Sequence, residues 1–470
     1  MISRFRALIP VPLIPVPLIL VPLSVIFCLA PSLAAQDTRT VIEPILPPLC
    51  TTLDAQLQAT GNTLAPADEQ KLDTARIQKA INRCGKTRAV LLRVNEENNA
   101  FLTGPLELKP EVTLIVGPGV TLFASRDASL YATSPGSCGI VTHAPGPRGC
   151  KPLISVDHAP GSAIMGNGII DARGGEKMLG SQYSWWDLAE QARAGGGQQV
   201  PRIIVADYSD NFTLYRITLK NSPNFHVVYD HGDGFTVWGL KIDTPQRLAR
   251  NTDGVDPGDG ARDITITHSY IRTGDDNVAI KGGTGGATNI TVSHDHFYWG
   301  HGMSIGSETN GGVSKIHVFD LSLDGPDNGI RIKSNGSRGG LTQDVVYDDV
   351  CIRNSPNPIT FDTGYTAAGT LQGNSPPSMR DILLKDIRIS GGGKFSFNGY
   401  AKDYRIAAAL SGVQIVDEAG YTYDLHHADL TLGPDPTNLH FPAGEDSTVS
   451  GAPAEGAPAS CAEKFIPFPK

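Results

Sequence analysis

At 470 residues, 40% hydrophobic, 19% charged and 7% aromatic, the chain holds apolar material for a large core, which excludes bulk disorder. Length alone leaves open one elongated all-β domain or several average ones. With 39 Lys+Arg against 48 Asp+Glu the net charge is −9, so bulk charge does not recruit nucleic acid, and an acidic ligand would need a local basic cluster.

Arg4 and Arg6 precede an apolar run from Ala7 to Ala30 and then the small residues Ser32-Leu33-Ala34-Ala35. This is the pattern of a signal peptide over 1–35, cleaved after Ala34 or Ala35, and it predicts a secreted protein, periplasmic at most in transit. An uncleaved anchor competes, because the run is long enough to span a bilayer. A lipid anchor at Cys28 fits poorly, since bulky Phe27 stands where a small residue is needed. No later segment is apolar enough to cross a membrane. Removing the leader takes two positive charges, leaving 37 − 48 = −11.

Of seven cysteines, loss of Cys28 leaves six, an even number that suits disulfides in an exported chain. The short separations favour Cys50 with Cys84 and Cys138 with Cys150, while the pairing of Cys351 and Cys461 stays open. No CxxC or Cys/His cluster has zinc spacing, so a structural metal is not expected.

Thr74 to Ile81 reads as a helix that would cap an open β-edge. Fragments such as Val112-Thr113-Leu114 and Ile164 to Asp171 read as strands. Tyr183-Ser184-Trp185-Trp186 precedes a short helical stretch, Asp187 to Ala194; its indoles would either stack on sugar rings or anchor a loop. From about residue 205 a loose repeat sets in. Asn211-Phe212-Thr213-Leu214, Gly234-Phe235-Thr236-Val237, Asp263-Ile264-Thr265-Ile266, Asn289-Ile290-Thr291-Val292, Lys315-Ile316-His317-Val318 and Asp344-Val345-Val346-Tyr347 follow one another at steps of 23, 29, 26, 26 and 29 residues between their second positions. Such a period, built from β-branched alternating segments and Gly/Asn/Asp turns, is that of a solenoid coil. The leucine skeleton of leucine-rich repeats is missing, and an antiparallel sandwich would need turn signals every ~8–12 residues, so a parallel β-helix is predicted.

Each repeat also holds a second strand-like phrase, as in Asp276-Asn277-Val278-Ala279-Ile280-Lys281 and Asn328-Gly329-Ile330-Arg331-Ile332-Lys333. Aligned, they place Val278 and Ile280, Met303 and Ile305, Ile330 and Ile332, and Ile359 and Phe361 in two inward columns. Ala279 and Lys281, Ser304 and Gly306, and Arg331 and Lys333 then face outward. The expected architecture is all-β, a single-domain right-handed parallel β-helix with an N-terminal helical cap over residues 36–442. Residues 443–470, rich in Ala, Pro and Gly, are expected to form a flexible tail.

In the same alignment Asp253, Asp276, His301 and Asn328 fall at one position on successive coils, with Asp275 adjacent. Three crowded aspartates supply an acid and a base, because like-charge repulsion lets one keep its proton while another stays ionised. That is what glycosidic hydrolysis needs. Arg331 and Lys333 provide the local basic cluster for substrate carboxylates. Calcium binding by the aspartates is the sharpest competing reading.

Asn251-Thr252-Asp253, Gly274-Asp275-Asp276, Gly300-His301-Gly302 and Arg331-Ile332-Lys333 resemble the four signature motifs of polygalacturonases, the pectin-hydrolysing family 28 of glycoside hydrolases. The resemblance extends to Ser222-Pro223-Asn224-Phe225-His226 and Gly166-Asn167-Gly168-Ile169-Ile170-Asp171, covers roughly residues 48 to 425, and in detail is closest to the bacterial endo-acting branch, exo action being the alternative. It implies a right-handed parallel β-helix hydrolysing α-1,4 links between galacturonates with inversion and without a cofactor. Carried over, Asp275 is the general acid, Asp253 and Asp276 activate water, His301 tunes the acid, Asn251, Arg331 and Lys333 contact substrate, and Tyr365 corresponds to a substrate-contacting tyrosine. The implied partner is an acidic polysaccharide, handled by a monomer with no nucleic-acid or stable membrane association. A calcium-dependent β-helix lyase and a non-catalytic polyuronate-binding β-helix are the competing functions.

Overall fold

The computed structural model of the chain describes residues 36–143, 146–366, 373–416, 418–457 and 459–469; the expected leader, with Cys28 and both cleavage positions, lies outside them. An eleven-stranded, all-parallel sheet runs from Leu106–Glu107 to Tyr421–His426, one strand per coil. A larger sheet of 22 strands covers the other faces of the coils. Parallel strands of this kind, buried against one another through the solenoid, make a parallel β-helix.

The repeat falls into register as its spacing implies. Phe212, Phe235, Ile264, Ile290, Ile316 and Val345 are successive cross-strand partners, and the column continues to Ile382 and Ala408. All of them are buried. The first residue of each phrase explains the Asn/Asp signal: Asn211, Asp263, Asn289, Lys315, Asp344 and Asp381 adopt φ between 52° and 59°, and Gly234 takes the equivalent place. Asn and Asp tolerate this left-handed conformation better than most residues. Five positions later Arg216, His268, His294, Asp320, Asp349 and Asp386 repeat it, so each coil bends at two fixed corners. Val278 and Ile280 pair with Met303 and Ile305, then with Ile330 and Ile332, then with Ile359 and Phe361, and all eight are fully buried.

The helix Thr74–Arg83 sends Ile77, Ala80 and Ile81 into this same core. The Cys50–Cys84 disulfide fastens its end to the first coil strand, Leu49–Asp54, and Cys138–Cys150 closes a loop. Trp185 is buried edge-to-face against Tyr131, and Trp186 Nε1 donates to the Ser222 carbonyl, so both indoles anchor a loop.

The C-terminal segment departs from the expectation of a flexible tail. Thr448–Gly451 adds a parallel strand to Ala428–Leu432. Beyond it the chain turns back along the coils: Cys461 pairs with Cys351, Lys464 ion-pairs with Asp320 and Asp349, Tyr298 donates its hydroxyl to the Ile466 carbonyl, and Phe468 covers the Arg272 guanidinium at 3.9 Å. Composition pointed to disorder because these partners lie more than 100 residues away in sequence and leave no local pattern. Cys461→Ser, opening a link between residues 110 apart, is expected to lower unfolding free energy by about 2–4 kcal/mol in denaturant titration; an unchanged midpoint would show that the segment is not holding the coils.

Candidate active site

The cleft grows out of short turns that precede the strands of the eleven-stranded sheet. Arg272 ends one strand and Val278 begins the next, so Thr273 to Asn277 must cross between faces in five residues. Asn277 holds this turn by donating to the carbonyls of Ile271 and Trp299, and Thr273 Oγ1 donates to the Asp275 carbonyl. The equivalent crossing one coil later carries His301, whose backbone N–H donates to the Asp275 carbonyl. Two coils earlier, His226 is wholly buried between the Asp253 carbonyl and Thr244 Oγ1. Burial pushes its pKa down to about 4, so a neutral imidazole braces the Asp253 turn.

The register therefore brings the expected residues together. Val255 pairs with Val278 and Val278 with Met303, which places Asp253, Asp276 and His301 on consecutive rungs, about 4.8 Å apart. Ligand atoms of Asp275, Asp276 and His301 all lie within 4.8 Å of one another. Asp276 is almost fully buried, with Ser304 Oγ at 2.7 Å and Arg331 Nη1 at 3.5 Å from Oδ1 and Lys333 Nζ at 2.6 Å from Oδ2. Asp253 accepts from Lys281 Nζ at 3.0 Å, and the same ammonium reaches Asp256 at 3.0 Å. His301 Nδ1 lies 3.0 Å from Asp275, and its Nε2 faces Asp327 at 3.5 Å.

These contacts decide where protons sit. Burial raises Asp253 well above the usual carboxylate range, more than Lys281 can offset. Burial acts the same way on Asp275 and Asp276 and is the largest single influence on each, but the hydrogen bond and charge of His301 together with the Lys333 and Lys281 ammoniums outweigh it at Asp275, and Lys333 together with Arg331 and His301 outweighs it at Asp276, so both are held low. For His301, burial opposes the charge, yet the carboxylates of Asp275 and Asp327 prevail and hold it at about 10. The arrangement thus favours a proton on Asp253 and on His301 and negative charge on Asp275 and Asp276.

Asp275, Asp276 and His301 are the group that would offer metal ligands. Both Asp276 oxygens are already engaged by cations and a hydroxyl, and a protonated His301 presents N–H rather than a lone pair, a poor donor set for calcium, which prefers six to eight oxygens.

A cleft of about 670 Å³ opens over the turns, lined by Asp275, His301, Arg331, Tyr365, Asn251 and Arg247 among others. Tyr365 lies beneath the cations, its ring centre 5.1 Å from the Arg331 guanidinium and 5.2 Å from Lys333 Nζ. Lys333 itself is buried against Asp276, whereas Arg331 reaches the cleft. Lys281, Ser304, Asp256 and Asp327 were not singled out from sequence. For Lys281 a signal existed: it stands on the outward column of Lys333, two rungs earlier.

A family model described as glycosyl hydrolases family 28 matches residues 84–423. The chain is 42% identical to an endo-polygalacturonase of Pectobacterium carotovorum subsp. carotovorum over 82% of its length and 91% of the relative's, and 36% identical to a polygalacturonase of Ralstonia nicotianae over 91% and 92%. The solved polygalacturonase from Erwinia carotovora ssp. carotovora superposes with a TM-score of 0.76 at 40% identity, covering 84% of this chain and all of that one. An exopolygalacturonase from Thermotoga maritima, 19% identical with a TM-score of 0.64, shares the fold.

The geometry predicts an imidazolium at His301 through neutral pH. A ¹⁵N NMR titration should find both ring nitrogens protonated at pH 8 and the charge lost only as pH approaches about 10; a neutral ring at pH 8 would contradict the paired arrangement.

Proposed function

We infer from its membership of glycosyl hydrolase family 28, to which the chain belongs, that this protein hydrolyses the α-1,4-glycosidic bonds of polygalacturonate, in the interior of the polymer and with inversion at the anomeric carbon. The observation that carries the reading is the joining of three aspartates, one imidazolium and two cations on consecutive rungs of one cleft. Endo action is supported by the endo-acting relative at 42% identity. The reading includes export from the cell and action as a monomer.

In this account Asp275 protonates the leaving glycosidic oxygen. It is anionic in the free enzyme, so its proton comes through His301 Nδ1 at 3.0 Å, and the two residues act as one proton-carrying unit. Substrate strengthens this transfer: galacturonate carboxylates settling near Arg331 bring negative charge to a desolvated site and raise the affinity of Asp275 for a proton. Asp276 is the anionic partner that takes the proton from the attacking water, and Asp253, beside it, holds that water by a hydrogen bond. One proton leaves the acid unit and one arrives at the base, so the cycle balances. Lys333 keeps Asp276 ionised, Arg331 binds a substrate carboxylate, and Tyr365 and Asn251 shape the subsite around it.

Asp275→Asn should reduce turnover by about a hundred- to ten-thousand-fold with the fold intact, since it removes the proton donor; retention of more than a tenth of the wild-type rate would reject the assignment. Hydrolysis, as opposed to elimination, should release new reducing ends without ultraviolet absorbance, equally with and without EDTA. Absorbing products that vanish with EDTA would mark a calcium-dependent lyase, and binding without release a non-catalytic protein. Proton NMR of the first products should show the β-anomer, the α-anomer indicating retention.

A further inference from the structure

Most arginines here are spent on carboxylates, as the acidic balance of the chain allows. Among the described residues, only Arg83, Arg88, Arg148, Arg202, Arg247 and Arg250 form no ion pair. Arg83 ends the N-terminal cap helix, and Arg88 opens the next coil strand and donates to the Leu49 carbonyl. Arg247 and Arg250 line the cleft. That leaves Arg148 and Arg202 to be explained.

Arg202 stands on the catalytic column itself. Ile204 pairs with Val227 and Val227 with Val255, so Arg202, Phe225 and Asp253 occupy the same position on three consecutive rungs. The guanidinium is half-buried, 4.4 Å from the Phe225 ring centre, and its one hydrogen bond among the described residues is to Asn224 Oδ1 at 3.2 Å. Lys281 Nζ lies 4.1 Å from the centre of the same ring. Arg148, exposed on the loop closed by Cys138–Cys150, is near enough to act on Arg202: burial first, and then the charge of Arg148, push Arg202 down to about 9, which still leaves it fully charged at acidic pH. The nearby acids Asp256, Asp230 and Asp253 act on Arg202 only through space, none of them forming an ion pair with it among the described residues, and burial raises all three. An arginine kept planar on an aromatic ring, with donors free of acidic partners, is a preorganised receptor for a carboxylate.

We propose that Arg202 and Arg148 form a distal subsite that binds the carboxylate of a galacturonate unit several residues from the cleaved bond, so that the polymer lies along the solenoid axis from Arg202, past Asp253 and Asp275, to Arg331. This rests on the polygalacturonate reading and deepens it. From the rung of Arg202 to that of Arg331 is five steps, about 24 Å at ~4.8 Å per rung. A site with cations at both ends and its acids between them engages the interior of a long chain and gains nothing from these arginines on a short one.

The test is the chain-length dependence of kcat/KM on oligogalacturonates from trimer to octamer for wild type, Arg202→Gln, Arg148→Gln and the double variant, with Arg202→Lys as the conservative change. The loss in the double variant should grow with length, reaching tenfold or more on the octamer, as expected for removal of a charged hydrogen bond, and should appear in KM rather than kcat. Arg202→Lys should recover part of it. A loss equal at every length, or none on the octamer, overturns the distal subsite while leaving the hydrolase reading in place. Wild-type enzyme inactive on every length overturns that reading, and the subsite with it.

Discussion

Parallel pairing in the eleven-stranded sheet is the constraint on which the site depends. Inward side chains at Val278, Met303, Ile330 and Ile359 stack over one another with no polar atom between them, so the register of each coil is fixed by the one before. A slip of one residue would turn the whole inward set toward solvent, a cost no coil can meet. Because Asp253, Asp276 and His301 precede the inward residues by a constant offset, locking the apolar columns also locks the acids. Residues dozens of positions apart in the chain become neighbours at the spacing of a hydrogen-bonded strand.

Bringing like charges together in a site with little water is unfavourable, and the fold answers each carboxylate separately. Lys333 neutralises Asp276, Lys281 is shared by Asp253 and Asp256, and His301 is held between Asp275 and Asp327. The answers are unequal. Lys281 divides its charge between two acids and leaves the Asp253 carboxyl raised, whereas Asp275 and Asp276 each have a cation close by and are held low. That inequality separates acid from base chemistry among side chains of one type. The C-terminal segment reaches the same turns from outside: Phe468 packs on Arg272, Arg272 on Trp299, and these two residues stand just before the turns that carry Asp275 and His301.

Much of this was legible in the chain. The repeat phrases align with the observed register residue for residue, since left-handed corner positions select Asn, Asp and Gly and the alternation of period two marks the inward face. Two disulfides were legible from short spacing, and the convergence of Asp253, Asp275, Asp276 and His301 from the offset to those phrases. The remainder depends on side-chain direction or on distant partners. Lys333 reads as a substrate-binding cation, but its ammonium reaches back two rungs to Asp276. Asp275 reads as a protonated acid, yet its contact with the His301 imidazole holds its carboxyl low and the imidazole high. The C-terminal strand and its return path follow from Cys351, Asp320 and Tyr298, none of which a local composition can announce.

The most direct test of the account is a crystal structure of an inactive variant with an oligogalacturonate spanning the cleft. The account predicts the glycosidic oxygen within about 2.6–3.2 Å of residue 275, a water on the opposite face of the sugar held between Asp253 and Asp276, and a sugar carboxylate on Arg331. A chain bound across the rungs, or with its glycosidic oxygen nearest Asp253, would contradict it.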